Sequence, residues 1–147
     1  HEIVGDLINK GGNVSLMFER IYQNNSKEKI VLMKIALSTL EFFHNDAISC
    51  ISLTLEQMEE AKALDEDTDG IINLARDIDC VEVAMFLKEL EPRKIKVGLR
   101  SKKKVDVASV ALRFGGGGHV HAAGCTVIGT VAQVKGKILD AIDEELR

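Results

Sequence analysis

Hydrophobic residues near the start of the chain recur at the spacing of helices that bury one face. Three amphipathic segments are predicted: residues 1–9, a second segment that begins at Asn13, and residues 27–38. Polar or glycine-rich breaks separate them, and Asn13 and Ser26 are suited to cap the second and third segments. The pattern therefore predicts a short helical region ahead of the rest of the fold.

After position 39 the hydrophobic period changes to two, which predicts strands. Two hairpins follow from this pattern, one over residues 40–55 and one over residues 80–100. In the last of these strands, alternate side chains divide between two faces. One face carries Ile95, Val97 and Leu99, and the other carries Lys94, Lys96, Gly98 and Arg100.

Side chains that accept hydrogen bonds mark the starts of the later helices. Thr54 and Thr130 each begin a capping box, and Asp106 is suited to cap the helix before the glycine-rich stretch. The acidic residues 65–70 precede a predicted helix over 70–78, where they favour the positive end of the helix dipole. A calcium loop is the alternative, but it lacks the expected alternation of ligands and a closing glutamate.

The order of these elements predicts the fold class. The strand ending at Arg100, the helix from Asp106 and a strand over 125–128 form a strand–helix–strand unit. Such a unit predicts parallel neighbouring strands joined by a right-handed crossover. The whole pattern predicts an α/β fold, a mixed sheet of about five strands covered by helices in three layers, preceded by the short helical segment.

Composition narrows the setting without identifying a function. The 147 residues are 46% hydrophobic and 29% charged, as in soluble globular proteins, and no apolar run is long enough to cross a bilayer. The three cysteines, Cys50, Cys80 and Cys125, are far apart in apolar stretches. They predict buried thiols in a reducing cytoplasm, with neither a disulfide framework nor a zinc site.

Four consecutive glycines, residues 115–118, are the most informative stretch. Glycine frees the backbone to turn several N–H groups toward one point, which favours binding of an anion such as phosphate. The alternative is a helix C-cap followed by a flexible loop. Because the stretch leaves the negative end of a helix, a bound phosphate would need cationic groups, and Arg100, Arg113 and His119 are the candidates.

Basic residues are concentrated just before this stretch. Seven of the twelve residues in 93–104 are Lys or Arg, although the net charge of the chain is −4. Lysines that protect a sheet edge are the alternative, and we favour phosphate attraction only for Arg100. A metal site on His119 and His121 is a further alternative if both face one side of a strand, but it needs a third ligand.

Three motifs together resemble a known family. Residues 67–73 (Asp-Thr-Asp-Gly-Ile-Ile-Asn), 99–102 (Leu-Arg-Ser-Lys) and 115–124 (four glycines, His, then Ala-Ala-Gly) occur in its order and spacing. They resemble the C-terminal DHHA1 domain of the DHH phosphoesterase superfamily, in its branch of bacterial oligoribonucleases and phosphoadenosine-phosphate phosphatases. The resemblance covers residues 26–147 as a substrate-binding domain. Residues 1–25 resemble the helical tail and linker of a preceding DHH catalytic domain.

The resemblance implies a two-domain hydrolase. Its catalytic domain holds two divalent ions, usually manganese, and its DHHA1 domain grips the nucleotide. This sequence has no Asp-His-His motif, so we assign no catalytic residue and no metal ligand to it, and we expect the chain by itself to be inactive. The residues assigned to substrate binding are Arg100, Ser101, Arg113, Gly115, Gly116, Gly117, Gly118, His119, Ala122 and Ala123.

The implied partners are a short oligonucleotide or a mononucleotide phosphate, and the DHH domain of the same protein. No membrane is implied, and a homodimer stays open. Phe114 is the one aromatic residue near the loop, which argues against a long platform for stacked bases. The alternatives are a nucleotide-binding regulatory module without hydrolase activity, or a relative of the cyclic-dinucleotide phosphodiesterases or RecJ-like exonucleases.

Overall fold

The computed structural model describes residues 13–16, 19 and 24–147. The helix predicted over residues 1–9, and most of the segment predicted after Asn13, lie outside the described residues. Residues 14–16 are helical, and the Asn13 side chain accepts a hydrogen bond from the backbone amide of Leu16 at 3.0 Å. This contact confirms Asn13 as an N-cap. Across the described residues, no helix combines the length and the apolar composition needed to span a bilayer.

Within residues 24–147 the chain forms five α-helices, six strands and one 3₁₀ turn. In chain order they are α1 (Lys27–Ser38), β1 (Glu41–Phe43), β2 (Ile48–Leu53), α2 (Leu55–Glu60), the 3₁₀ turn (Asp65–Thr68), α3 (Ile71–Arg76), β3 (Val83–Glu91), β4 (Lys94–Ser101), α4 (Val107–Leu112), β5 (Gly117–His119), β6 (Ala122–Ile128) and α5 (Val131–Leu146).

The strands form one mixed sheet in the order β1-β2-β3-β4-β6-β5. Strands β2 and β3 are parallel, and every other neighbouring pair is antiparallel. The α/β fold and the mixed, helix-covered sheet are confirmed. The sheet has one strand more than predicted because β5 forms within the glycine stretch, where low β-propensity gives no strand signal.

The predicted parallel crossover after β4 is wrong. Strands β4 and β6 are antiparallel, with Arg100 opposite Ala122 and Val97 opposite Cys125. After α4 the chain enters β5 and then reverses before β6. Strand β5, and not β6, therefore runs in the same direction as β4. The parallel pair is β2 and β3, and the connection through α2 and α3 supplies the long crossover that parallel strands need.

Local hydrogen bonds explain why the helices begin where they do. Thr54 and Thr130 form the predicted capping boxes, and the Asp106 side chain accepts from two backbone amides of α4. Ser26 caps α1 through the amide of Lys29 at 3.0 Å. Each of these caps satisfies amides that the first helical turn leaves unpaired, and such a cap stabilises a helix by about 1 kcal/mol.

The sheet has two unlike faces. Helices α4 and α5 cover one face, where side chains of β2, β3, β4 and β6 form a continuous apolar core. On the other face, α1 and α3 pack over β2 and β3, around Ile51, Ala84 and Phe86, and α3 reaches β4 at Gly98 through Ile72. The helix layer stops there, so the same side of β6 and β5, and of β4 beyond that contact, is left uncovered. We call this uncovered surface the open face; its residues are Lys96, Gly98, Arg100, Gly117, His119, Ala122, Gly124 and Thr126.

The cysteines follow the sequence prediction in two of three cases. Cys50 and Cys125 are buried, and burial raises the pKa of the Cys50 thiol to about 12. Cys80 is exposed, which corrects the prediction that all three are buried. It lies between α3 and β3, in a connection outside both apolar clusters, so its apolar sequence neighbours do not cover it.

Candidate substrate-binding site

Arg100 and His119 lie on the same side of the sheet, in one row across three strands. Arg100 of β4 stands opposite Ala122 of β6, which stands opposite His119 of β5. Residues directly opposite in antiparallel strands project to the same face. Each step is about 5 Å, so the Cα atoms of Arg100 and His119 are about 10 Å apart. The small side chain of Ala122 between them leaves room for a ligand that touches both.

A second row, next to the first, consists of glycines. Gly98, Gly124 and Gly117 are opposite one another on β4, β6 and β5. No side chain rises from this row, so the backbone itself is the surface that a ligand would meet. A Cβ added at Gly117 would have nothing within 4 Å. The open face therefore combines a flat floor with a cation and an imidazole at its edge.

The basic side chains of the open face make few hydrogen bonds or ion pairs with the rest of the described residues. Within the described residues, neither Lys96 nor His119 makes a side-chain hydrogen bond or an ion pair. Arg100 donates from Nη1 to the carbonyl of Leu99 at 2.9 Å, which leaves most of its guanidinium donors available. These are the groups that an anionic ligand could engage without breaking a protein contact.

Arg113, predicted as a third cation, is not brought into this group. Its guanidinium donates to Glu144 and, at 3.1 Å, to Glu145 of α5. These carboxylates are about thirty positions away in sequence, so local pattern could not reveal the pairing. Because α5 covers the opposite side of the sheet, the pair holds Arg113 on the helix that precedes the site and away from Arg100.

Ser101 and His121 are near the site but have structural partners. Ser101 is 5% exposed on the helix-covered face, and its hydroxyl donates to the carbonyl of Val105 at 2.6 Å. Its oxygen is also 3.0 Å from Nδ1 of His121, within hydrogen-bond distance. The Ser101 amide also donates to the His121 carbonyl at 3.1 Å. Ser101 thus anchors the β5–β6 turn that places His119.

The histidine pair does not match the geometry that was proposed for a metal site. His119 ends β5, whereas His121 lies in the following turn and bonds to Ser101, so the two do not share one side of a strand. Among the described residues, no group of three or more His, Cys, Asp or Glu side chains is arranged to hold a metal ion. The divalent ions that the resemblance implies therefore find no ligand set in this part of the chain.

The four glycines have separate roles. Gly115 has φ of 79°, and its amide and that of Gly116 donate to the Leu112 and Ala111 carbonyls at 3.2 and 2.9 Å. This is the Schellman arrangement that ends a helix, so the helix-cap alternative is right for these two residues. Two of the four N–H groups therefore close the helix, which leaves those of Gly117 and Gly118 as the ones a ligand could engage.

Gly116 and Gly118 are required by close backbone packing. A Cβ at Gly116 would lie 2.1 Å from the Gly124 carbonyl oxygen, and one at Gly118 would lie 2.5 Å from that of Ala122. Ala123, opposite Gly118, is buried and faces the helix-covered core. Of the four glycines, Gly117 is the one whose missing side chain leaves the open face clear.

A cleft of about 160 Å³ adjoins Arg100 at the boundary where the helix layer stops. It is lined by Thr68, Asp69, Gly70, Ile72, Phe86, Lys88, Lys96, Gly98 and Arg100. Sequence reasoning assigned only Arg100 of these to the site. The acidic stretch was interpreted as a helix start, and Lys88 gave no signal beyond one lysine at the end of an apolar run.

Lys88 and Asp65 form an ion pair at the side of this cleft. Lys88 is 6% exposed, and its ammonium donates to Oδ1 of Asp65. This hydrogen bond, together with the charge of Lys88, holds the pKa of Asp65 below its usual value. The pair fixes the acidic 3₁₀ turn against β3, and so places residues 68–70 over the cleft.

The backbone of the lysine cluster, residues 102–104, is held by Glu82 and does not line the cleft. The carboxylate of Glu82 accepts from the amides of Lys103 at 3.0 Å, Val105 at 3.1 Å and Lys104. Partial burial opposes ionisation of Glu82, but the three amides outweigh it and lower the pKa of the carboxyl. Lys103 and Lys104 extend into solvent, and neither lines the cleft.

Comparison with known proteins places the chain in a family. The DHHA1 domain model matches residues 33–147. The chain is 32% identical over 145 residues to the bifunctional oligoribonuclease and PAP phosphatase NrnA of Thermus thermophilus, covering 98% of this chain and 43% of that protein. The chain therefore belongs to the DHHA1 domain family, and it spans less than half the length of this relative.

Solved structures agree with this assignment. An exopolyphosphatase-related protein from Bacteroides fragilis superposes with a TM-score of 0.85 at 28% identity, over 97% of this chain and 42% of that one. A pGpG-specific phosphodiesterase, PggH from Vibrio cholerae, superposes with a TM-score of 0.62 at 12% identity, over 91% of this chain and 46% of that one. The second likeness shows a shared fold alone.

Proposed function

We propose that this chain is the substrate-binding domain of a DHH-family phosphoesterase that hydrolyses short oligonucleotides or adenosine 3′,5′-bisphosphate (pAp). The observation that carries the proposal is the row of Arg100 and His119 beside the glycine floor. Arginine offers paired donors to a phosphate, and His119 adds a donor about 10 Å away across the same face. Free donors beside bare backbone suit a ligand with a sugar-phosphate chain.

The similarity to an oligoribonuclease and PAP phosphatase supports nucleotides as the substrate class. The size of the open face favours short substrates. It is only three strands wide, and among the described residues no row of aromatic side chains extends it for stacking further bases. We assign Arg100 to one phosphate and His119 to a second phosphate or to the sugar. The bare backbone at Gly117 and Gly98 lets the nucleotide lie close to the sheet.

Hydrolysis needs groups that the described residues do not supply. Two divalent ions of the catalytic domain would activate water and stabilise the attack on phosphorus. The part assigned to this chain is to bind the nucleotide and orient its scissile phosphate toward that domain. Orienting the substrate raises the reaction rate, because the bound nucleotide is already held in the geometry that the reaction needs.

The experiment is calorimetry with pAp and with short oligoribonucleotides. Arg100→Ala is expected to weaken binding by about 1.5–3 kcal/mol, the range for a hydrogen bond to a charged group. Lys103→Ala is the matched control, since it removes a nearby positive charge that extends into solvent. It should change little beyond a shallower salt dependence. Equal losses in both variants would mean a diffuse basic surface and would contradict the proposed site.

A further inference from the structure

The cleft beside Arg100 has an apolar floor and a polar rim. Ile72, Phe86 and Gly98 line its floor, while Asp69 and Lys96 line its rim with Arg100. Its volume of about 160 Å³ is well below the ~300 Å³ at the small end of sites for drug-sized ligands. The cleft therefore has room for one small ring system and not for a stack of bases.

Gly98 keeps the floor of the cleft flat but lowers the stability of strand β4. It is a glycine in the interior of β4 without a positive φ, so backbone geometry does not require it. Glycine in a strand interior weakens the strand and commonly marks the close approach of a ligand or another backbone. A Cβ here would stand 3.4 Å from Ile72 Cδ1 and 3.8 Å from Phe86 Cβ, in the space above the floor. The missing side chain thus creates part of the cleft.

The rim offers both an acceptor and donors. Within the described residues the Asp69 carboxylate accepts no hydrogen bond and pairs with no cation, and Lys96 is likewise without a partner. Lys88, in contrast, is held by Asp65. A free phosphate would be attracted by Lys96 and Arg100, but it would leave the Asp69 carboxylate without a donor and would gain nothing from an apolar floor. A planar heterocycle with donors and acceptors along its edge fits both features.

We propose that this cleft is a nucleobase pocket, for the base of a nucleotide whose phosphate is held by Arg100, and that guanine is its best-matched base. The inference rests on the proposed function of the open face. Guanine presents N1–H and an exocyclic amino group, which can both donate to the Asp69 carboxylate, and it presents O6 and N7, which can accept from Lys96. Adenine has a single donor group on its edge, so it satisfies fewer of these partners.

The first test separates the base from the phosphate. Gly98→Ala places one methyl group at ordinary contact distance from Ile72 and Phe86, so the fold should tolerate it. We expect its melting temperature to stay within a few degrees of the parent, its affinity for 5′-GMP to fall at least tenfold, and its affinity for ribose 5-phosphate to fall far less, because this probe places no base against the added methyl group. Ribose 5-phosphate carries the phosphate and the sugar without a base, so its binding reports the open face alone.

The second test addresses the choice of base. The parent chain should bind 5′-GMP about tenfold more tightly than 5′-AMP, with 5′-IMP between them because inosine lacks the 2-amino group. Asp69→Asn keeps one acceptor and loses the charge, so it should reduce the preference for GMP. Glu66→Gln, at an acidic residue of the adjacent 3₁₀ turn that does not line the cleft, is the matched control and should keep the preference.

Each outcome decides a separate claim. If Arg100→Ala weakens both GMP and ribose 5-phosphate while Gly98→Ala leaves GMP unchanged, the base pocket is overturned and the proposed function stands. If GMP binds no better than ribose 5-phosphate, the base pocket is also overturned. Equal binding of GMP and AMP, unaffected by Asp69→Asn, overturns the assignment of guanine. If none of the phosphorylated probes binds, both the pocket and the proposed function are overturned.

Discussion

At the scale of single residues, existing partners decide which basic groups are available to a ligand. Arg100 and Arg113 are both arginines next to the glycine stretch in sequence or in space. Arg113 is held by Glu144 and Glu145, whereas Arg100 has one backbone carbonyl as its partner. A ligand that took Arg113 would have to break two ion pairs first. We therefore place only Arg100 in the proposed site.

The prediction is that Arg113→Ala leaves the affinity for pAp within about twofold of the parent value. Its cost should appear in stability instead, as a loss of about 0–1 kcal/mol, because exposed ion pairs contribute little. Calorimetric titration and urea denaturation of the same preparation measure the two quantities. A loss of affinity as large as that of Arg100→Ala would return Arg113 to the site.

Removing either partner of the Lys88–Asp65 ion pair should affect the free energy of unfolding differently. Asp65→Ala leaves the Lys88 ammonium without its carboxylate, and we expect this to lower the free energy of unfolding by about 1–2 kcal/mol, the cost of an unpaired buried group. Lys88→Met removes the charge and keeps the volume, so its effect should be close to zero.

Urea denaturation of the two variants measures this difference. Asp67→Ala would not serve as a control, because its carboxylate accepts from the amide of Leu64. Glu66→Ala is suitable, since Glu66 is exposed and its side chain makes no contact among the described residues that the fold depends on. Larger destabilisation by Lys88→Met than by Asp65→Ala would contradict the account of this pair.

At the scale of elements, sequence predicted what is determined locally. The capping boxes at Thr54 and Thr130 and the two hairpins were correct, because each cap and each hairpin turn is determined by residues a few positions apart. Strand β5 and the direction of β6 were missed, because three glycine-rich residues have no strand signal and their pairing is decided by the turn at Val120 and His121.

The glycine stretch gives a prediction about stability at this scale. Gly116→Ala must displace the Gly124 carbonyl, so we expect a loss of about 1–3 kcal/mol, as for overpacking. Gly117→Ala meets no atom within 4 Å and has no positive φ, so its stability should stay within about 0.5 kcal/mol of the parent. Chemical denaturation monitored by circular dichroism compares them.

The same pair of variants separates folding from binding. Gly117→Ala adds a methyl to the open face, and Gly117→Val adds more, so nucleotide affinity should fall in that order while the fold persists. A Gly117→Ala protein that unfolds as easily as Gly116→Ala would show that the glycine row supports the sheet and does not serve a ligand.

At the scale of the whole molecule, the site exists because the helix layer stops halfway across the sheet. Sequence correctly separated the apolar and basic faces of β4, but it could not show that the helix layer on the basic face ends at the contact of Ile72 with Gly98. For the same reason it could not bring Asp69 and Lys88 to the cleft. Those residues meet Arg100 only through the β3–β4 pairing and the packing of α3, which are long-range contacts.

Two lowered carboxyl pKa values predict the response of the whole fold to acid. The pKa values of Asp65 and Glu82 are lowered from 3.8 and 4.5, so each contributes stability that is fully present above its unfolded value. That stability is lost as the pH falls below these values through the folded pKa. Urea midpoints at pH 7, 5 and 3 should therefore be similar at the first two and lower at the third.

Glu82→Gln identifies the share of one group in this acid response. The amide keeps an acceptor for the Lys103 and Val105 amides but does not titrate, so the variant should lose less stability between pH 5 and pH 3 than the parent does. An unchanged acid response in this variant would mean that other carboxyl groups account for the loss.

The most direct test of the central claim is a titration of ¹⁵N-labelled chain with pAp, followed by backbone amide chemical shifts. The amide shifts that change are expected to cluster on the open face, at Lys96, Gly98, Arg100, Gly117 and His119, with little change in α5 and at Lys103 and Lys104. Changes centred on Arg113 and α5, or on residues 102–104, would contradict the central claim. So would the absence of any change at saturating pAp.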